Sequence, residues 1–524
     1  MTTEVNTDQF GKLRQLLWPI HRTELRKFIP MLLMYALIVF NYSMLKTAKD
    51  ALVVTADNSG AEVIPFIKLW AILPMAIGFT FLFTRLSNKF NREKVFYVMT
   101  GIFLGFFALF AFVLYPFREY LHPNELANTL ENTLPTWLAG AKWIISVFRN
   151  WSFTLFYVMS ELWGTMIMTV LFWGFANEVS SVKVAKRFYS ILGVGANLAT
   201  VGAGYFAIFI SQTLPKLAMF QGGDHWRRSI ELTIIVVLIS GVASVGIYYW
   251  MNRNVFKSCP HGFQENGEPI LKKKKEKMTL RKSFSTLAKS KYLLCIAVLV
   301  IAFNVGLTMV EIVWKDQLKD LYPNPSDYHA YYSKVMVWIG IFSTITALCF
   351  TGNVIRKFGW TVSALVTPAV LFATGILFFS FILFQDGALG SMALIFGTTP
   401  LALGIFFGSM QNVLSRTCKF TFFDATKEMS FIPLDPETKL KGKAAIDGVG
   451  SRLGKSGGSA VHSLLIFTLG SVSLSTPIIG GILLIVVIGW MMAVKNLGVL
   501  FGIKTQETDV TSEQALPKVE TQAV

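Results

Sequence analysis

Several ionisable side chains sit inside long apolar runs of this 524-residue sequence, where charge is costly. A charged group at the centre of a membrane helix costs roughly 2.5–3.5 kcal/mol on insertion scales, so each asks for a partner or a function. Glu161 lies well inside the apolar run 153–176, too deep for a short carboxylate to reach an interface. The bland alternative is a protonated, hydrogen-bonded structural glutamate. Glu311 sits closer to the outer part of the run 293–314. Lys46 and Lys49 are three residues apart, which sets them on one helical face with Tyr42. Snorkelling to the outer interface is the competing role for these two lysines. Arg416 and Lys419 fall inside the run 402–425, and Lys455 lies near the start of 446–472. Arg416 is hard to place against lipid. Lysine offers phosphate a point charge and arginine a planar fork, so cations spread over both parts of the chain suit a multiply charged anion.

The elements that must carry these charges are membrane helices. Apolar residues make up 53% of the chain and charged ones only 15%, and the mean hydropathy is +0.52. A soluble protein of this size needs far more charged surface. The 45 Phe and 13 Trp suit lipid-facing and interfacial positions. Net charge is +17, but the basic residues cluster in short stretches between apolar runs, as the positive-inside rule expects. Nucleic-acid binding is excluded on that distribution. Cys259, Cys295, Cys349 and Cys418 are widely separated and show neither a disulfide framework nor zinc-ligand spacing.

Runs of about 20 apolar residues, enough to cross a bilayer, fall near 28–46, 64–86, 95–115, 153–176, 189–211 and 230–250. A second set falls near 293–314, 331–352, 361–384, 402–425, 446–472 and 476–499. The stretch 141–152 reads as an amphipathic lead-in helix. The expected fold is an all-α integral membrane protein of about 12 transmembrane helices. Its organisation is a six-helix half over 1–251, a basic cytoplasmic linker over 252–291, a second six-helix half over 292–503 and a disordered tail over 504–524. Arg85, Lys89, Arg92 and Lys94 follow the second span, and Lys183, Lys186 and Arg187 follow the fourth. Lys272 to Lys275 lie in the linker, while the intervening loop 116–140 carries more acid. Both termini are therefore expected in the cytoplasm. Met1 to Phe10 includes Glu4 and Asp8 and has no apolar core, so neither a secretory signal nor a transit peptide is expected.

The two sets of spans resemble each other. Gly193-Val194-Gly195 with Leu198 and Gly202 reads like Gly448-Val449-Gly450 with Leu453 and Gly457. Phe172, Glu178 and Ser180 correspond to Phe422, Glu428 and Ser430, a register in which Glu161 matches Gln411. Phe40-Asn41 precedes Lys49-Asp50 as Phe303-Asn304 precedes Lys315-Asp316, with about one helical turn inserted. Two parallel six-span repeats are the arrangement of major-facilitator-type carriers, whose substrate site lies at the midplane between repeats. Gly454-Lys455-Ser456 imitates a nucleotide-binding P-loop, but that motif needs glycine where Val449 stands and a preceding strand. Helix packing is the expected role of these glycines.

Longer stretches are more specific. They comprise Lys49-Asp50-Ala51-Leu52-Val53-Val54-Thr55-Ala56, Ile64-Pro65-Phe66, Glu161-Leu162-Trp163-Gly164 and Leu171-Phe172-Trp173-Gly174-Phe175-Ala176-Asn177-Glu178. Lys427-Glu428-Met429, Ile432-Pro433-Leu434-Asp435 and Lys441-Gly442-Lys443-Ala444-Ala445-Ile446-Asp447 complete the set. Together they strongly resemble the ATP/ADP translocase family of obligate intracellular bacteria and plastids, across nearly all of residues 12–500. The resemblance implies nucleotide exchange by alternating access, with ATP and ADP as substrates and phosphate as a co-substrate candidate. It implies no hydrolysis and no cofactor. Membrane charges important in the family match Lys49, Glu161, Glu311 and Lys455; Tyr42, Lys46, Phe172 and Arg416 join them as substrate-site candidates. Glu161 and Glu311 would pair with the cations when the site is empty, and Tyr42 or Phe172 would stack on the base. A monomer in contact with membrane lipid, in a bacterial inner membrane, is the expectation. The rivals are a proton-coupled nucleotide importer of the same fold, a membrane enzyme acting on a lipid-linked substrate, and a non-transporting scaffold.

Overall fold

A computed structural model describes residues 20–180, 182–216, 224–256, 290–349, 351–385 and 387–514. Among the described residues there are helices and their connections and no strand. Ten helices are long and apolar enough to cross a membrane. They are α1 (Leu25–Val54), α2 (Val63–Lys89), α3 (Arg92–Leu114), α4 (Trp151–Val179), α5 (Ile191–Lys216), α6 (His225–Val255), α7 (Lys291–Leu321), α8 (Pro325–Cys349) and α9 (Lys357–Leu383), with the last beginning at Val472. Two further helices, α10 (Pro400–Cys418) and α11 (Ser451–Leu469), have 19 residues each. At 1.5 Å per residue they reach about 28 Å, close to the thickness of a hydrocarbon core. Gln411, Asn412 and Arg416 on α10, and Arg452, Lys455 and His462 on α11, lower their hydropathy below that of the other ten. Spans 402–425 and 446–472 are thus helical but polar.

The last helix, α12 (Val472–Gln514), differs from expectation at its end. A disordered tail was expected from 504, yet helix continues through Gln514. No Gly or Pro intervenes between Ile503 and Pro517, so nothing breaks the helix earlier. Most of the basic linker, 257–289, and the terminal 515–524 lie outside the described residues.

By internal contacts the chain forms two compact units. The first holds α1 to α6, the segment Lys315–Leu348 and, over Ile466–Ser471, the end of α11 with the bend after it. The second holds α7 up to Trp314, α9, α10, α11 up to Leu465 and the chain from Val472.

In the first unit α1 is the hub and packs against α4, α5 and α6. Polar side chains set its register: Asn41 Nδ2 donates to the Val237 carbonyl at 3.0 Å, Ser240 Oγ donates to Asn41 Oδ1, and Ser43 Oγ donates to Thr200 Oγ1 at 3.2 Å. Within apolar surroundings these bonds spare the groups a desolvation penalty of about 1–3 kcal/mol each. The expected lead-in helix is present as a short 3-10 turn, Thr136–Ala141, followed by a helix over Lys142–Arg149. Trp143 Nε1 donates to the Gly470 carbonyl at 2.8 Å, and Gly140 lies against Phe467. A Cβ on Gly140 would sit 2.3 Å from the Phe467 carbonyl oxygen and 2.5 Å from its Cα. Backbone cannot swing aside as a side chain can. Gly140→Ala is expected to destabilise the protein by about 1–3 kcal/mol, read as a lower Tm in detergent; an unchanged Tm would remove this contact.

In the second unit α9 packs against α10 and α12. Near its start α9 is kinked at Gly359, whose φ of +77° with ψ of 178° is open only to glycine. Phe303, Phe423 and Trp490 form an aromatic cluster at centroid distances of 4.8–6.0 Å.

Candidate functional site

The first unit carries a chain of charges that runs from wet to dry. Glu161 on α4 is 33% exposed at its side chain, and its Oε2 lies 3.3 Å from Lys49 Nζ on α1. Behind it, Lys49 donates to Asp50 Oδ1 at 3.3 Å, and the other carboxylate oxygen of Asp50 is 2.9 Å from Lys315 Nζ. The side chains of Lys49, Asp50 and Lys315 are 3%, 0% and 1% exposed. Lys49 also sits over the Tyr157 ring, 3.5 Å from its centroid, and Lys315 lies 5.7 Å from the Tyr332 ring. Aromatic faces partly replace the water these ammonium groups have lost. Two lysines and two carboxylates balance, which is what lets such a group survive out of water.

Local sequence explains the arrangement. Lys46, Lys49 and Tyr42 share one face of α1 at three- and four-residue spacings. On α4, Tyr157 and Glu161 are four apart, so one helical face presents both the ring and the carboxylate to Lys49. Directly after Glu161, α4 widens into π-helical turns over Gly164–Phe172, a local irregularity that recurs at functional sites. Tyr42 is half-buried with its ring against Gly164, where an added Cβ would come within 2.7 Å of the ring. Lys46 is buried on α1. A second hydrogen-bonded group lies in the same unit: buried His329 meets Thr47 Oγ1 through Nε2 at 3.0 Å and Ser211 Oγ through Nδ1 at 2.7 Å.

Phe172 requires a correction. It is fully buried and stacked on Tyr35 at 4.2 Å between centroids, with Trp173 edge-on at 5.6 Å. A ring committed to that cluster is a packing residue and has no free face for a nucleotide base.

The second unit holds the other pair. Glu311 Oε1 on α7 is 3.2 Å from Arg416 Nη2 on α10, with both side chains largely buried. One turn along α7, Trp314 Nε1 donates to Ser409 Oγ at 3.1 Å, and Gly408 lets the Trp314 ring approach α10 closely. Lys455 is exposed on α11. Gly454-Lys455-Ser456 lies inside that helix, and a Cβ on Gly454 would meet Asn304 Cβ at 2.8 Å. It is a packing glycine and not part of a phosphate-binding loop.

Charge clusters stand at the end of α4 and beyond the end of α10. Glu178 pairs with Arg92, while Glu428 pairs with Lys443 and with Lys427 at 3.6 Å. Lys427 also reaches Asp447 Oδ1 at 2.9 Å. Burial acts to lower the Lys427 pKa, but the carboxylates of Asp447, Asp424 and Glu428 outweigh it and leave the pKa raised.

The arrangement is one of membrane-embedded ammonium and guanidinium groups held by carboxylates. The sequence matches the family model described as TLC ATP/ADP transporter over residues 3–501. This chain belongs to the TLC ATP/ADP transporter family. It is 42% identical over 517 residues to ADP,ATP carrier protein 1 of Chlamydia pneumoniae, covering 98% of this chain and 99% of that protein. It is 41% identical over 489 residues to ADP,ATP carrier protein 1, chloroplastic, of Arabidopsis thaliana, covering 93% of this chain and 76% of that protein. Among solved structures, a D-xylose–proton symporter aligns at TM-score 0.45 with 14% identity, covering 88% of this chain and 96% of the other.

In this TLC transporter the structure joins Lys49 to Glu161 and Glu311 to Arg416, four of the residues singled out by sequence. It adds Asp50, Tyr157 and Lys315, which sequence reasoning did not place in the site. A signal for two of them existed. The repeat aligns Lys49-Asp50 with Lys315-Asp316, and both dipeptides lie within apolar helices. The cost of burying four such charges was itself the clue.

Proposed function

We propose that this TLC transporter is a nucleotide antiporter that takes up external ATP in exchange for internal ADP across a bacterial inner membrane. The observation that carries this reading is the Lys49–Glu161 pair: an ammonium buried in a membrane helix, engaged by a partly exposed carboxylate that a phosphate can replace. Arg416 with Glu311 repeats the device with a fork in place of a point charge. The names of the Chlamydia and chloroplast relatives, ADP,ATP carriers, support the choice of nucleotide. A carrier of two six-helix repeats working by alternating access, with Tyr42, Lys46 and Lys455 as further substrate contacts, completes the proposal. Basic loops on one side favour cytoplasmic termini.

ATP carries about one more negative charge than ADP, and moving one charge through 100 mV changes the free energy by about 2.3 kcal/mol. Exchange therefore senses the membrane potential unless phosphate accompanies ADP, and electroneutral exchange with phosphate is the form we favour. The test is uptake of labelled ATP into proteoliposomes preloaded with ADP, with ADP plus phosphate, or with buffer alone. Uptake is expected only with internal nucleotide, and internal phosphate should abolish its dependence on an imposed potential. Net uptake into nucleotide-free vesicles under a proton gradient would replace this reading by proton-coupled import.

A further inference from the structure

Behind the partly exposed Glu161, the cluster contains more charge than binding one phosphate requires. Asp50 is fully buried yet holds two lysines, one through each oxygen. Lys49 belongs to α1 and Lys315 to the end of α7, so this single carboxylate ties the two helices together. We propose that Asp50 and Lys315 form the coupling lock of the transporter, with Asp50 standing in for substrate phosphate whenever the carrier is empty. The inference rests on the nucleotide-exchange reading and deepens it.

The physical argument concerns what separation would cost. Pulling Lys315 away from Asp50 without a replacement separates opposite charges in a site closed to water, leaving Asp50 with Lys49 only, and such a loss of a buried pair costs about 3–5 kcal/mol. An empty carrier therefore keeps the lock shut and stays on one side. A polyphosphate arriving at Glu161 competes for Lys49 first, because that lysine is adjacent to the exposed carboxylate. Once Lys49 turns to phosphate, Asp50 retains Lys315 alone, and a second phosphoryl group can take that lysine in turn. The penalty disappears only with nucleotide present, so only the loaded carrier changes sides. Exchange becomes obligatory without any hydrolysis. Lys315 is in this view a phosphate-contacting residue, and Asp50 a positioning residue that acts through the two lysines.

The surroundings fit a lock that opens and closes as a unit. Within a turn before Lys49 and Asp50, Thr47 bonds to His329 on α8, so α8 is tied to the same stretch of α1. Tyr157 and Tyr332 supply aromatic faces to the two lysines. These faces hold an ammonium but do not neutralise it, so the choice between carboxylate and phosphate stays electrostatic.

The experiment uses the full chain in proteoliposomes loaded with labelled ADP, with efflux followed into medium with or without external ATP. The parent is expected to release label only when ATP is outside; if it does not exchange at all, the antiport reading itself fails. Asp50→Asn combined with Lys315→Met removes one charge of each sign and keeps the site neutral. This double variant should release ADP into nucleotide-free medium at least tenfold faster than the parent. Strict dependence on external nucleotide at the parental exchange rate would overturn the lock. Should the double variant not assemble, Asp50→Asn alone decides by equilibrium binding. With the Asp50 charge removed from both lysines, ADP should bind at least threefold more tightly while exchange slows; equal or weaker binding overturns the proposal. Lys315→Arg, which keeps the charge, should retain coupling.

Discussion

Lys49→Met is expected to lower ADP exchange by about 100-fold or more, equivalent to about 2.7 kcal/mol at the transport barrier. Lys49 touches Asp50, Glu161 and the Tyr157 ring, so its loss reaches both carboxylates of the first cluster. Glu161 then loses the Lys49 ammonium, and Asp50 retains Lys315. Removing one partner of a buried pair costs about 3–5 kcal/mol where desolvation is complete. Glu161 is partly wet, so the protein should still fold while transport collapses. Monodisperse elution in detergent together with absent exchange is the expected result. Lys49→Arg should recover only part of the rate, because a rigid planar fork cannot reproduce the compact ammonium's simultaneous approach to Asp50 and Glu161. A folded Lys49→Met variant exchanging ADP within threefold of the parent would remove Lys49 from the site.

Arg416→Gln should be the more damaging change to stability. Glu311 and Arg416 are both largely buried, and their contact lies beside the Trp314–Ser409 hydrogen bond that ties α7 to α10. Taking the Arg416 charge from Glu311 in that environment costs about 3–5 kcal/mol. Exchange should fall by about 10- to 100-fold, in step with the loss of a charge-assisted contact of about 1.5–3 kcal/mol. Combining Arg416→Gln with Glu311→Gln removes both charges, so thermal stability should return to near the parental value while exchange does not. A double variant recovering both would make this pair purely structural. One recovering neither would show that Arg416 has a further essential partner. The two outcomes separate packing from transport because neutralisation repairs only the first.

Much of this was legible in the linear chain. Apolar runs of bilayer length with basic connections define a multi-pass protein, since hydropathy and loop charge are local properties that need no tertiary contact. The cost of charge in hydrocarbon singled out Lys49, Glu161, Glu311 and Arg416 before any fold was known. Repeated glycines and the two Lys-Asp dipeptides hinted at duplication. Val449, standing where a phosphate loop needs glycine, excluded that motif; α11 places Gly454 in a helix packed on Asn304.

Partner choice was decided only in three dimensions. Helical periodicity says which side chains share a face, but not which neighbouring helix that face meets. Phe172 therefore read as a base-stacking candidate until its ring was found against Tyr35. Asp50 read as half of a dipeptide until its second oxygen was found on Lys315, far along the chain. Sequence by itself determined that buried cations and carboxylates had to exist in this membrane protein, because their desolvation cost depends only on where apolar runs begin and end. Tertiary structure decided how they pair, because a salt bridge depends on distances of a few ångströms that only the packing of helices sets.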